Sequence, residues 1–140
     1  MNSTEIKYSV LIIDDETINI NALSYALKPK YTVHAVTKGE EAVAAALNTR
    51  PDIILLDIIM PRTDGYTVLA ELKSNPETRY IPVIFLTSMN DPESENRGLK
   101  LGAVDYIFKP FSQGLLLQRI ELHLKLIAQM KELNELRGNI

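Results

Sequence analysis

Five short apolar runs divide the chain at regular intervals and restrict the fold more than any other feature. They are residues 10–13, 31–36, 53–56, 83–86 and 104–107. Three of them, VLII, IILL and VIFL, are continuously apolar, which is typical of parallel strands buried on both faces. Segments with helical spacing separate the runs. The alternation predicts an α/β domain: a five-stranded parallel sheet in a doubly wound (βα)5 three-layer sandwich.

Apolar residues recur at helical spacing after the first three runs. They are Ile20, Leu23 and Leu27, then Val43, Ala46 and Leu47, then Val68, Leu69 and Leu72. Thr37 and Glu40 have the spacing of a capping box. Asp91 before Pro92 predicts a helix start with an N-cap and a proline at the first helical position.

Length and composition exclude several classes of protein. The chain has 140 residues, about one domain, and its formal net charge of −3 gives no indication of nucleic-acid binding. It has no cysteine, which excludes disulfides and thiolate chemistry. No apolar run is long enough for a membrane span, and the first residues do not resemble a signal peptide. We therefore expect a cytoplasmic protein.

The C-terminal segment is too long for a helix that only covers the sheet. After Ser112 only Gly114 and Gly138 could interrupt a helix. An apolar 4-3 spacing runs through Leu122, Leu126, Leu133, Leu136 and Ile140, with Gln129 as its one polar member. The segment either packs back on its own domain or forms a coiled coil. We predict an N-terminal tail at 1–6, a domain at 7–122 and a helical extension at 123–140.

Acidic residues directly follow two of the predicted strands. Asp14 and Asp15 come after the first strand, and Asp57 comes after the third. Parallel sheets bind ligands at the carboxyl ends of their strands, where these side chains would converge. Oxygen ligands without histidine or cysteine suit Mg²⁺. Helix capping would explain Asp14 and Asp15 alone, but not together with Asp57.

The last two strands end in groups that complement the acids. Thr87 directly follows the fourth run, and Lys109 comes after the fifth. A lysine at this edge can hold phosphoryl oxygens. Metal, carboxylate, hydroxyl and ammonium together predict a phosphoryl-transfer site with an aspartate as acceptor.

In four stretches the sequence resembles the receiver domain of bacterial two-component response regulators, over roughly residues 7–125. The stretches are VLIIDDE (10–16), DIILLDIIMPRTDGYTVL (52–69), IPVIFLTS (81–88) and GAVDYIFKPF (102–111). The resemblance implies a flavodoxin-like fold with strand order 2-1-3-4-5 and an extended C-terminal helix.

The resemblance also implies the metal ligands and the acceptor. Asp57 would form the aspartyl phosphate. Asp15 and Asp57 would bind Mg²⁺ directly, with the backbone carbonyl of Ile59 as a further ligand and Asp14 assisting through water.

Three further roles follow from the same resemblance. Lys109 would pair with the phosphate, and its peptide bond to Pro110 would be cis. Thr87 would bind a phosphoryl oxygen, and Tyr106 would be the switch aromatic that changes rotamer as Thr87 moves. Tyr106 could otherwise be an ordinary half-buried strand residue.

Some residues are given lesser or different roles. Ile59 and Met89 are apolar beside the expected phosphoryl group, so we predict that they hinder the hydrolytic water and prolong the phosphorylated state. For His34 and His123 the sequence suggests no carboxylate partner, so we expect them to be structural or exposed. Tyr66 is expected on a helix surface.

The function implied is a signalling switch and not a metabolic enzyme. A histidine kinase, a phosphotransfer protein or a small phosphodonor would load Asp57 and change the face made by the fourth helix, fifth strand and fifth helix. One alternative is a Mg²⁺-dependent phosphohydrolase, but those enzymes carry a second aspartate where Ile59 stands. The other is a phosphorylation-independent pseudo-receiver, which usually lacks one of the groups present here.

The C-terminal helix suggests what the switch acts on. Residues 115–136 resemble the helical linkers that join receivers to diguanylate cyclase or histidine kinase modules. The domain is either a free-standing receiver that acts by protein contact or part of a longer protein with a covalently attached output domain. We favour the second interpretation, with a homodimer through this helix. No partner is expected among nucleic acids or membranes.

Overall fold

Five strands and five α-helices alternate along the part of the chain that the structure describes. The computed structural model describes residues 7–138. The predicted tail at 1–6 and Ile140, the last residue of the apolar 4-3 spacing, lie outside this range. The elements are β1 (Ser9–Ile13), α1 (Thr17–Leu27), β2 (Thr32–Val36), α2 (Ala42–Thr49), β3 (Ile53–Leu56), α3 (Gly65–Ser74), β4 (Val83–Thr87), α4 (Pro92–Lys100), β5 (Asp105–Phe108) and α5 (Gln113–Gly138). A short 3₁₀ turn, Gly39–Glu41, precedes α2.

All neighbouring strands are parallel, and their order is β2-β1-β3-β4-β5. Both the sheet and its order are confirmed as predicted. Ile13 at the end of β1 is in register with Leu56 at the end of β3. The loops after these two strands therefore begin side by side, at the point in the sheet where the strand order reverses.

Alternate residues of the strands supply two separate cores. Leu11, Ile54 and Phe85 face a core completed by α2 and α3. Val10, Ile12 and their counterparts face a second core completed by α1 and α5. Because both faces of the sheet are covered, the continuously apolar strand sequences are explained, and the three-layer sandwich is confirmed.

Helix α5 is 26 residues long and leaves the domain before it ends. Leu116, Ile120 and Leu124 are its buried residues, all in the first half. The predicted boundary at residue 122 falls inside this continuous helix, and the division into 7–122 and 123–140 stays a prediction. Among residues 7–138, no helix is both long and apolar enough to cross a bilayer.

The local predictions have mixed outcomes. Asp91 caps α4 as predicted, because its side chain accepts the Ser94 N–H and Pro92 follows it. The capping box at Thr37 and Glu40 is wrong, since a 3₁₀ turn intervenes and α2 begins only at Ala42. At Gly39 the backbone is packed so closely on α3 that an added Cβ would approach the Val68 side chain to 3.0 Å.

Candidate functional site

Three carboxylates meet at the carboxyl edge of the sheet. Asp14 and Asp15 begin the loop after β1, and Asp57 begins the loop after β3. One carboxylate oxygen from each lies within 4.8 Å of the others. Asp14 and Asp57 are buried, and Asp15 is half-buried. The convergence predicted from sequence is therefore present.

Hydrogen bonds fix the orientation of the two buried acids. The Glu16 N–H donates to Asp14 Oδ1 at 2.9 Å, and the Asn19 amide donates to Asp14 Oδ2 at 3.3 Å. The Ile58 N–H donates to Asp57 Oδ1 at 2.7 Å. Asp57 Oδ2 is thereby directed away from its own loop, toward Lys109.

Lys109 brings a positive charge into this cluster. Its Nζ lies 3.0 Å from Asp14 Oδ2 and 3.3 Å from Asp57 Oδ2. Burial alone would lower the pKa of Lys109, but the hydrogen bond to Asp14 and the charge of Asp57 outweigh burial and raise it. The peptide bond between Lys109 and Pro110 is cis, as expected.

The donor set fits a hard divalent cation. Three carboxylates face one ammonium group, so at neutral pH the cluster carries an excess of negative charge, which is unfavourable in a buried setting. The converging oxygens, without nitrogen or sulfur ligands, match the preference of Mg²⁺. That Ile59 contributes its carbonyl stays a prediction.

Thr87 and Tyr106 lie on the neighbouring strands. Thr87 ends β4 and is fully buried, and its Oγ1 accepts the Met89 N–H at 3.4 Å. Tyr106 in β5 is also buried, and its hydroxyl donates to the Met89 carbonyl at 2.7 Å. Burial, with a contribution from the nearby Tyr66, raises the pKa of Tyr106. Both side chains therefore engage the loop between β4 and α4.

Two pockets flank the acids. An apolar pocket of about 530 Å³ lies between α1 and α5 and extends to Lys109; Ala22, Ala26, Phe111 and Leu116 are among its lining residues. A second pocket of about 300 Å³ is lined by Asp15 together with Lys38, Arg62 and other residues of the loops after β2 and β3. The first pocket therefore reaches the cluster at Lys109, and the second reaches it at Asp15.

Comparison with known proteins identifies the family. The model of the response regulator receiver domain matches residues 10–121. The chain belongs to this family. Receiver domains are signalling domains and not classical enzymes, and they work in two-component systems.

Relatives and solved structures agree with this assignment. The receiver domain is 44% identical, over 117 residues, to a probable cyclic di-GMP phosphodiesterase of Vibrio cholerae, covering 84% of this chain and 26% of that protein. The chain thus spans about a quarter of that relative's length. It is 37% identical to the receiver domain of a histidine kinase from Syntrophus aciditrophicus, with a TM-score of 0.77 and coverage of 84% and 90%.

A third comparison includes a metal ion. The receiver domain of a sensor histidine kinase from Pseudomonas aeruginosa is 28% identical to this chain, with a TM-score of 0.79 and coverage of 86% of this chain and 99% of that chain. That structure has a magnesium ion coordinated in its active-site cleft.

Two features of this receiver domain differ from the sequence predictions. Tyr66 is buried, not on the helix surface, because α4 folds over it and the Tyr66 hydroxyl donates to the Ser94 carbonyl at 3.0 Å. His123 has a carboxylate partner after all: its Nε2 lies 3.0 Å from Asp105 Oδ2. Arg119 donates to both oxygens of the same carboxylate, at 2.9 and 2.8 Å.

Proposed function

We propose that this receiver domain is a phosphoacceptor switch in which Asp57 accepts a phosphoryl group. An Asp57 oxygen forms the new bond to phosphorus as the bond to the donor breaks. The donor leaves as the imidazole of a histidine kinase or phosphotransfer protein, or as acetate from acetyl phosphate. The observation that carries the proposal is the position of Asp57 Oδ2, 3.3 Å from Lys109 Nζ and beside two further carboxylates.

The acidic residues would bind the metal ion that the proposed reaction needs. Asp14, Asp15, Asp57 and the Ile59 carbonyl would hold Mg²⁺, as the clustered oxygens and the magnesium-bound relative suggest. When bound, Mg²⁺ supplies positive charge that offsets the repulsion between the carboxylates and the incoming phosphoryl oxygens. Lys109 adds a further positive charge on the side of Asp57 that faces β5.

Thr87 and Tyr106 would carry the change outward. Once Asp57 is loaded, Thr87 binds a phosphoryl oxygen and Lys109 exchanges its contact with the free carboxylate for one with the phosphate. Thr87 and Tyr106 both bond to Met89, so a shift of Thr87 reaches Tyr106 through this loop. The face formed by α4, β5 and α5 then changes.

Intact mass spectrometry tests this function. The protein is incubated with acetyl phosphate and Mg²⁺, and Asp57→Asn is compared with Asp64→Asn, a matched change at an exposed aspartate in the same loop. We expect one phosphoryl mass, labile to hydroxylamine, on the wild type and Asp64→Asn and none on Asp57→Asn. Equal phosphorylation of all three proteins would refute Asp57 as the acceptor.

The two alternative functions have less support. A phosphohydrolase would need a general acid two residues after the acceptor, and that position holds Ile59. A phosphorylation-independent module would not need the lysine, hydroxyl and carboxylates that this site retains. We therefore propose slow self-catalysed phosphorylation and dephosphorylation in the cytoplasm.

We further propose that α5 pairs with a second copy and connects the domain to an output module of the diguanylate cyclase or kinase type. Leu122, Leu126, Leu133 and Leu136 are 46–61% exposed and lie on one apolar seam. Leu116, Ile120 and Leu124 pack against the sheet, so the seam remains available. The length of the Vibrio cholerae relative, about four times that of the aligned segment, is consistent with an attached module.

Static light scattering tests the pairing. Leu133→Lys places a charge in the seam, and Asn134→Lys places the same charge beside it. We expect the wild type and Asn134→Lys to dimerise and Leu133→Lys to be monomeric. A monomeric wild type at high concentration, with and without beryllofluoride, would refute the dimer.

A further inference from the structure

Helix α4 is held on the domain with almost no apolar packing of its own. Of its nine residues only Gly98 is buried, and Leu99 is 42% exposed. Helices in proteins are usually held by a buried apolar stripe. The position of α4 must therefore depend on other contacts.

Tyr66 supplies two of those contacts. Its hydroxyl donates to the Ser94 carbonyl, in the first turn of α4, at 3.0 Å. The Arg97 guanidinium, one turn further on, lies 4.1 Å from the centre of the Tyr66 ring. A residue of α3 thus binds α4 through a hydrogen bond and a cation–π contact.

The Tyr66 ring also belongs to a platform of aromatic side chains, Tyr66, Phe85 and Tyr106, on which α4 lies. Its centroid is 5.6 Å from that of Phe85, which is 5.9 Å from that of Tyr106, both in edge-to-face geometry. A Cβ added at Gly98 would come within 2.9 Å of Phe85. The helix backbone therefore rests directly on these aromatic rings.

The backbone of Tyr66 is fixed to the acceptor loop. The Gly65 N–H donates to the Ile58 carbonyl at 2.8 Å. A Cβ at Gly65 would overlap the carbonyl oxygen of Asp57 and lie 2.7 Å from Ile58 Cα. The start of α3 is thus packed against the backbone of the acceptor itself.

We propose that Tyr66 is a positioning residue that ties helix α4 to the backbone of the acceptor loop. Tyr106 holds the loop before α4, through Met89, whereas Tyr66 holds the helix itself. A shift of the acceptor loop is therefore transmitted to α4 by a route that does not pass through Thr87. This role goes beyond the proposed function, and its first test needs no phosphodonor.

Hydrogen exchange of residues 89–101, measured by mass spectrometry in the unloaded protein, tests the tether. Tyr66→Phe removes the hydroxyl and keeps the ring; Tyr25→Phe makes the same change at a tyrosine that is 83% exposed. We expect exchange in α4 to accelerate roughly two- to tenfold in Tyr66→Phe and not in Tyr25→Phe. Unchanged exchange in α4, or equal acceleration in all strands, would overturn the proposal.

Loading with Mg²⁺ and beryllofluoride then tests transmission, which rests on the proposed function. We expect loading to change α4 exchange in the wild type and Tyr25→Phe, and to change it less than half as much in Tyr66→Phe. A full response in Tyr66→Phe would overturn the transmitting role. If loading leaves α4 exchange in the wild type unchanged, that result would count against the proposed function. The contact of Tyr66 with α4 would then be judged from the comparison of Tyr66→Phe with Tyr25→Phe in the unloaded proteins.

Discussion

Lys109 Nζ lies between two carboxylates, 3.0 Å from Asp14 and 3.3 Å from Asp57, although Lys109 follows β5 and the acids follow β1 and β3. Strand β4 separates β5 from β3 in the sheet. The long lysine side chain therefore spans β4 to reach the acids. The charge balance of the site therefore depends on residues that follow three strands, β1, β3 and β5.

Replacing Lys109 by Gln should destabilise the protein in the absence of divalent ions. The buried carboxylates would lose their positive partner, which costs about 1–3 kcal/mol in free energy of unfolding. Mg²⁺ should reverse part of that loss. Urea denaturation with EDTA or with Mg²⁺ measures both effects; a loss that is the same in both buffers would contradict this explanation.

Replacing Ile59 by Asn should shorten the lifetime of the phosphorylated state. Ile59 is 56% exposed, and its N–H lies 3.3 Å from Asp57 Oδ1, so its side chain stands at the entrance to the acceptor. An apolar side chain there cannot orient water, whereas an amide can. We expect a several-fold faster loss of phosphate, followed by intact mass after removal of acetyl phosphate. An unaltered rate, with phosphate lost within minutes in both proteins, would contradict the prediction.

Replacing Gly98 by Ala should destabilise the domain although alanine favours helices. The added Cβ would meet Phe85 at 2.9 Å and Tyr106 at 3.3 Å, forcing α4 off its aromatic platform. We expect a loss of about 1–2 kcal/mol in free energy of unfolding. Gly114→Ala in α5 is the control: outside the adjacent helix backbone, no atom would lie within 4 Å of the added Cβ, so a gain of up to about 1 kcal/mol is expected. A gain at both positions would contradict the close packing at Gly98.

Asp105 should make the stability of the fold depend on pH in the acid range. Burial alone would raise the pKa of Asp105, but hydrogen bonds from Arg119 and His123 outweigh burial and lower it. A lowered pKa in the folded state means that the stabilisation is present above the unfolded pKa, about 3.9, and is lost as the pH falls through the folded value.

Asp105→Asn measures that contribution. The variant should be less stable than the wild type by about 1–2 kcal/mol at pH 7, a modest figure because Arg119 is partly exposed. The difference should shrink as the pH falls below about 4. Urea denaturation at pH 7 and pH 3 compares the two proteins, and a difference that does not change with pH would argue against an ionised Asp105 as its source.

The sequence predicted the strands and the site acids for the same physical reason. Strands buried on both faces leave continuous apolar runs, and Asp57 directly follows such a run, so its place at the sheet edge is determined locally. The boundaries were less accurate: Tyr31 was assigned to the second strand, but its N–H donates to the Leu27 carbonyl at the end of α1. Val104 is likewise outside β5, which begins at Asp105.

Contacts between distant elements were not predictable in this way. Tyr66 follows Gly65 at the start of a helix, a position that is exposed unless another helix covers it, and α4 lies 28 residues away at Ser94. Asp105 and His123 are 18 residues apart and on different elements. The Tyr66 hydroxyl and the Asp105 carboxylate are polar groups that would need a partner if they were buried. The sequence contains no signal that identifies that partner.

The central claim is that Asp57, and neither of its two acidic neighbours, receives the phosphoryl group. Borohydride reduces an acyl phosphate to an alcohol, which marks the modified aspartate permanently. The wild type is phosphorylated with acetyl phosphate and Mg²⁺, reduced, digested and sequenced by mass spectrometry. We predict the reduced residue at position 57 and unmodified aspartate at positions 14 and 15. Reduction at Asp14 or Asp15, with Asp57 intact, would contradict the account.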